Sequence, residues 1–341
     1  MKLFIATIFS FYCFVQADYD ESLAMKLVHF AAASFIGPGD TNADTLTNQC
    51  FTKAYPNSTW ETNYRYTINN CANHDDNCQG LITSSAELKM AVFAFRGTVG
   101  MSQLLHEGTD WKPTDYTVHD GQKSAYLGKV DNYFLGAMLT TWETVKSHID
   151  EYNAKNYTFY FTGHSLGGAI AALTALSIVS LDMIPRDRMV LYTYGEPRIG
   201  DYTLAVKFQT MMAQNKYRVV HYRDPVPHFP FCKSKGVSDT CVPEAGKPYH
   251  HPEEVWYNNG NQKMDPGSYI RCSPDDGEYD KCSDSISDWN FILDGVDTKG
   301  SDFHNNYFNH RLDKWGPAGC NSASFISFSS IFVLFSFFIL H

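Results

Sequence analysis

One stretch of the sequence narrows the available folds more than any other. Residues 157–162 (Tyr-Thr-Phe-Tyr-Phe-Thr) have the aromatic and β-branched character of an interior strand. They pass without a spacer into Gly163-His164-Ser165-Leu166-Gly167-Gly168-Ala169, and then into an Ala-, Leu- and Ile-rich run, residues 169–184, that lacks Pro and Gly. A strand that turns this sharply into a helix needs glycines beside the turn, because a β-carbon there would strike the neighbouring strand or helix. Ser165 stands at the tip of such an elbow, shaped by Gly163, His164 and Gly167. The start of the helix offers free amides, that of Leu166 first, and the positive end of a dipole where an oxyanion can form. Ser165 is therefore a candidate nucleophile, which needs an acid and then a histidine later in the chain.

The alternation continues on both sides. Residues 89–95, 189–194 and 217–222 read as further strands, and residues 130–152 carry apolar side chains at helical spacing (Tyr133, Phe134, Ala137, Met138, Trp142, Val145, Ile149). This pattern predicts an α/β fold with a mainly parallel sheet and helices on both faces. Apolar residues make up 44% and charged residues 19%, which excludes a disordered or fibrous chain. The formal net charge of −10 and the absence of a basic block exclude nucleic acid as a partner.

The chain ends carry their own signals. Lys2, an apolar run over residues 3–15 and Ala17 before Asp18-Tyr19-Asp20-Glu21 form the pattern of a secretory signal peptide, residues 1–17. Its removal takes Cys13 and leaves Cys50, Cys71, Cys78, Cys232, Cys241, Cys272, Cys282 and Cys320, an even set suited to an oxidising compartment. Close spacings suggest three local loops, Cys71/Cys78, Cys232/Cys241 and Cys272/Cys282, with Cys50 and Cys320 left as a long-range clasp. No C-x-x-C occurs to favour zinc instead. Asn57 and Asn156 begin glycosylation sequons. No repeat or proline-rich linker divides residues 18–320, which read as a single domain. Residues 321–341 form an apolar tail without a basic flank, read as a lipid-anchor signal with attachment at Asn321 or Ser322, or alternatively as a short retained membrane anchor. Either reading places the protein outside the cell.

For the acid, Asp224 follows the strand at 217–222, and Pro225 and Pro227 force the chain out of the sheet just beyond it; Asp201 is the competitor. The histidines that follow Asp224 are His228, His250, His251, His304, His310 and His341. Thr98 ends the strand at 89–95, where its amide and hydroxyl can face a developing oxyanion.

Taken together, Gly163 to Ala169, Phe95-Arg96-Gly97-Thr98 upstream and Tyr194-Gly195-Glu196-Pro197-Arg198-Ile199-Gly200 downstream resemble the fungal-type (class 3) lipase family. The likeness covers roughly residues 85–310 and leaves residues 18–80 with little of it. It implies an α/β-hydrolase fold and serine-dependent hydrolysis of a carboxylic ester in an acylglycerol, at a lipid–water interface and with no metal or cofactor. Asp224-Pro225-Val226-Pro227 resembles the family's D-x-V-P segment, which implies the acid, and places Asp201 in a structural turn. His304-Asn305-Asn306-Tyr307-Phe308 resembles its D-H-x-x-Y-F segment, which implies the base. Here Phe303 separates Asp302 from His304, a departure that keeps His310 as the fallback. The segment Tyr249 to Tyr257, with His250 and His251, resembles a family strand that supports the site. Thr98 takes the place of the family's oxyanion residue, and residues 99–107, with Met101, Leu104 and Leu105, that of its lid. Phospholipase or other carboxylesterase activity is the near alternative, because fold does not fix substrate. A non-catalytic lipid-binding relative is the distant one, opposed by the complete set Ser165, Asp224 and His304.

Overall fold

The computed structural model describes residues 18–71, 77–98, 110–121, 123–212, 215–232, 241–259, 263–286 and 303–321. The expected signal peptide, the expected lid residues Met101, Leu104 and Leu105, and the tail beyond Asn321 lie outside the described residues, as do Asp302 and His341.

Helices α1 (Glu21–Ala33) and α2 (Ala43–Ala54) lead into strands β1 (Glu61–Asn69), β2 (Asn77–Ser85) and β3 (Met90–Phe95), and a hairpin of β4 (Pro113–Asp120) and β5 (Lys123–Asp131) follows. Next come α3 (Asn132–Lys146), α4 (Ile149–Ala154), β6 (Thr158–His164), α5 (Leu166–Ser180), β7 (Met189–Tyr194), β8 (Gly200–Asp201), α6 (Tyr202–Met211) and β9 (Lys216–His221). The last part holds β10 (Pro248–Tyr249), β11 (Glu254–Tyr257), β12 (Tyr269–Arg271), β13 (Asn306–Tyr307), β14 (His310–Arg311) and α7 (Leu312–Trp315). An eight-stranded sheet runs in the order β1-β2-β3-β6-β7-β9-β11-β12. Its centre, β3 to β11, is parallel, and β1, β2 and β12 are antiparallel at the edges.

Side-chain alternation divides the interior into two cores, because successive residues of a strand point to opposite faces. Ala91, Phe93 and Phe95 of β3 and Leu191 of β7 pack with α3, α5 and α6. Val92 and Ala94 of β3 and Val190, Tyr192 and Tyr194 of β7 pack with α1, α2 and α7. Helix α5 is apolar all round and buried from Leu166 to Val179, as a helix beneath other helices must be.

Two expected helices differ in extent. The run at 130–152 is two helices: Val130 and Asp131 complete β5, and Asp131 caps α3 by accepting the Tyr133 amide at 3.0 Å. The break falls at Ser147 and His148, where Ser147 Oγ and His148 Nδ1 both bond the Thr144 carbonyl that a continuing helix would use. The His148 amide turns to Val145 O instead. The run at 169–184 is helical from Leu166 to Ser180, and closes when Asp182 takes φ 51° and the Met183 amide bonds Ile178 O, a Schellman closure. Neither α1 nor α2 was expected from the sequence. The supporting strand expected at 249–257 is divided, and His250 and His251 lie between β10 and β11.

Four disulfides join the pairs expected from spacing: Cys50–Cys320, Cys71–Cys78, Cys232–Cys241 and Cys272–Cys282. Among the described residues, no helix is long and apolar enough to cross a membrane.

Candidate active site

The parallel strands β6, β7 and β9 end side by side, and the chain leaves each through a tight turn. At the end of β6, Ser165 adopts φ 59° and ψ −128°, a conformation costly for a residue with a β-carbon. The glycines around it explain how the turn is tolerated. A β-carbon on Gly163 would fall 2.2 Å from Gly167 O, and one on Gly167 would fall 2.1 Å from Phe95 O. Ser165 is anchored by its amide on Tyr194 O at 2.9 Å, and its carbonyl accepts the Gly168 and Ala169 amides as α5 begins. Its Oγ is buried and has no hydrogen-bond partner among the described residues.

At the end of β9, the Asp224 amide bonds His221 O at 2.8 Å, and Asp224 Oδ1 accepts the Val226 amide at 2.9 Å, so the turn itself orients the carboxylate. His304 lies in a helical turn at 303–305, with Nδ1 at 2.9 and 3.0 Å from the two oxygens of Asp224. Nδ1–H therefore donates to the carboxylate, which leaves Nε2 as the basic nitrogen. The Tyr307 hydroxyl donates to Asp224 Oδ2 at 2.5 Å. Burial alone would raise the Asp224 carboxyl; the His304 charge and the bonds from His304, Tyr307 and Val226 outweigh it and hold Asp224 below the ordinary carboxylate range. Burial, with the Asp224 charge beside it, pushes the Tyr307 phenol well up, so its proton stays to donate.

Gly195, at the end of β7, lies against this cluster. Its φ is 59°, and a β-carbon there would sit 2.6 Å from Asp224 Oδ2, 2.9 Å from Tyr307 Oη and 3.0 Å from His304 Nδ1. Gly97 brings Thr98 to the elbow in the same way, since its own β-carbon would lie 2.7 Å from His164 O and 3.1 Å from Ser165 Cβ. The Thr98 hydroxyl is 3.4 Å from the Tyr133 hydroxyl, and Leu166 is the first residue of α5.

Phe303, the residue that breaks the resemblance, packs edge-on against His221 and Tyr222 at 5.4 and 5.1 Å between ring centres. Its backbone carbonyl meets His221 Nδ1 at 3.1 Å, so an aromatic contact and a main-chain bond dock the His304 turn where the family has a carboxylate. Of the other histidines, His250 bonds Pro227 O, His251 meets Glu196 at 3.1 Å, and His310 stacks on Trp315. Asp201 caps α6 and belongs to a structural turn. Sequence reading missed the roles of Gly195 and Tyr307; the tyrosine of the H-x-x-Y-F match was the available signal. Among the described residues, two clusters of carboxylates and cysteines, around Glu254 and Glu278, contain cysteines already joined in disulfides, which removes their thiolates as metal ligands.

A serine on a strand-to-helix elbow of a parallel sheet, followed in the chain by an acid and a histidine, defines an α/β-hydrolase. The family model described as "Lipase (class 3)" matches residues 92–234. Lipase ZK262.3 of Caenorhabditis elegans is 30% identical over 316 residues, 90% of this chain and 84% of that protein. A Rhizopus niveus lipase is 28% identical over 222 residues, 63% of this chain and about half, 49%, of its own length. The structure of Rhizomucor miehei triacylglyceride lipase superimposes with a TM-score of 0.61 at 22% identity, covering 85% of this chain and 95% of the other, a likeness of fold. The chain belongs to the class 3 lipase family and is a carboxylic ester hydrolase.

Proposed function

We propose that the chain is a secreted lipase that hydrolyses acylglycerol esters through an acyl-enzyme. Ser165 Oγ attacks the ester carbonyl, and His304 Nε2 takes its proton and returns it to the departing alcohol. Asp224 holds the imidazole tautomer and stabilises the imidazolium. The amide and hydroxyl of Thr98 and the amide of Leu166 receive the oxyanion. Water, activated by the same histidine, then releases the fatty acid. The observation that carries this reading is the doubly held His304 imidazole on Asp224, packed against His164, the residue before a strained Ser165 whose hydroxyl is uncommitted. The acylglycerol substrate rests on what the relatives are named for, and the lid at 99–107 on the family resemblance.

We further propose export through residues 1–17, a catalytic domain over residues 18–320, and a tether formed by the C-terminal tail. The four disulfides and exposed Asn57 and Asn156 support an extracellular setting. Release by a phosphatidylinositol-specific phospholipase tests the lipid anchor, and extraction by detergent alone opposes it.

The deciding experiment compares the secreted wild type with Ser165→Ala on emulsified triacylglycerol, a soluble short-chain ester and phospholipid. Serine-dependent release of fatty acid from triacylglycerol is expected, rising sharply above the substrate's solubility limit. Turnover of short esters or phospholipid alone would reassign the substrate, and no turnover by folded protein would favour a lipid-binding role.

A further inference from the structure

One buried polar side chain outside the proposed catalytic set touches both halves of the site. His164 is the last residue of β6, directly before Ser165. Strand alternation turns its ring away from α5, the side that Gly163 faces, and toward the segment that carries His304. There its ring centre lies 4.5 Å from that of His304 and 5.5 Å from that of Tyr307. Its Nε2 is 2.6 Å from the backbone carbonyl of His304.

A carbonyl can only accept, so Nε2 of His164 carries the proton and Nδ1 holds a lone pair. Nδ1 is buried without a hydrogen-bond partner among the described residues. A buried acceptor left without a donor is destabilising, and an apolar side chain of similar volume would only move that cost to the His304 carbonyl, so the two are close in stability. What the imidazole supplies is one N–H on the backbone of the proposed base.

We propose that His164 is a positioning residue, whose Nε2–H fixes the backbone of His304 relative to the neighbouring nucleophile. This rests on the assignment of Ser165 and His304 made above. Asp224 holds the His304 ring at Nδ1, and His164 holds the main chain to which that ring is attached. His221 holds the carbonyls of Phe303 and Asn306 on either side, and with these anchors Nε2 of His304 meets Ser165 along one path; the residue that sets the elbow also holds the base. Burial first, and the adjacent His304 second, hold the His164 pKa down to about 3. The supporting ring therefore stays neutral and does not oppose a proton arriving on His304.

The test uses the full-length secreted chain and p-nitrophenyl butyrate below its solubility limit, with His164→Leu and His164→Gln. Leucine fills the space without a donor; the glutamine amide places an N–H near the position of Nε2. A displacement of the base by about 1 Å costs on the order of 10²-fold in rate, so His164→Leu should lose about that in kcat with KM changed less than about 3-fold. The rate of covalent labelling by a fluorophosphonate should fall by the same factor, and His164→Gln should recover most of both. The melting temperature of His164→Leu should stay within a few degrees of that of wild type, well above the assay temperature, which separates positioning from folding. Full activity in His164→Leu, or equal losses in the leucine and glutamine variants, would overturn the proposal. Should the leucine variant not be secreted, His164→Asn, whose amide is too short to reach the carbonyl, takes its place under the same criteria. Ser165→Ala is the separate control: activity retained there removes the underlying assignment, whatever His164 does.

Discussion

Single atoms decide this site. Gly195→Ala would place a methyl 2.6 Å from Asp224 Oδ2 at a left-handed φ of 59°, and the carboxylate or the imidazole must move. We expect a loss of on the order of 10²-fold in kcat/KM on a soluble ester; activity within about 2-fold of wild type would contradict the geometry. Thr98→Val keeps the backbone amide and removes only the hydroxyl, so it should lose at most about 10²–10³-fold, against roughly a million-fold for Ser165→Ala. The reverse order in steady-state turnover would remove Thr98 from the oxyanion hole. What was legible here was local: the glycines beside Ser165, the prolines after Asp224 and the tyrosine three places after His304 are all near-neighbours in sequence. Gly195 was legible only as part of a motif, because its reason lies in atoms 29 and 109 residues further along the chain. Phe303 looked like a defect and is a packing solution, since an aromatic contact to Tyr222 docks the turn without a carboxylate.

Elements are joined by side chains that cap more than one of them. Asp201 accepts the Leu204 amide of α6 and the Lys129 amide of β5 through Oδ1, each at 3.1 Å, and the Gly246 amide through Oδ2 at 2.8 Å. A single cap is worth about 1 kcal/mol. Asp201→Ala leaves three amides without this acceptor, so we expect about 2–3 kcal/mol of lost stability in urea unfolding, with the catalytic constants little changed. The interior strands were legible because they are short and rich in aromatic and β-branched residues, and their ends fell within about two residues of the expectation. The break in the helix at Ser147 was not, because periodicity records which residues face the core and is silent on which side chain captures a carbonyl. Helix α1 escaped notice although Asp20 accepts the Leu23 amide and Leu27, Val28, Phe30 and Ala31 form its buried face. The cap and the spacing are present in the sequence, directly after the apolar run at residues 3–15 that dominates the pattern of that end.

At the scale of the molecule, burial of histidines sets the response to acid. Burial is the leading cause that lowers His164 and His228 to about 3 and His29 to about 4, from an ordinary 6.5. Between pH 6.5 and 4 the unfolded chain binds protons that the folded one refuses, so stability is complete above pH 6.5 and falls as pH drops, by about 1.4 kcal/mol per unit for each such group. Asp224 acts in the same direction lower down: its depressed pKa gives stability that is present above the ordinary carboxylate value and lost as pH falls through the depressed one. The urea midpoint should therefore be clearly lower at pH 5 than at pH 7.5, and equal midpoints would contradict the buried neutral histidines. The architecture was legible from strand and helix alternation, and the four pairings from cysteine spacing. The two helices and the antiparallel edge over residues 18–85 were not, because β1 alternates irregularly between exposed and half-buried positions and carries no clean period.

The Cys50–Cys320 bond has a mechanical meaning. It joins α2 to the residue before Asn321, across 270 positions of sequence, and so encloses the whole eight-stranded sheet and all three proposed catalytic residues in one covalent ring, with α1 outside it. Tension applied to the chain beyond Asn321 passes into α2 through sulfur and does not peel away the segment from 303 to 319 that carries His304. A molecule pulled by its two ends takes the load first on α1, which lies outside the ring and packs in the core beneath β3 and β7, so α1 should detach before the segment that carries His304.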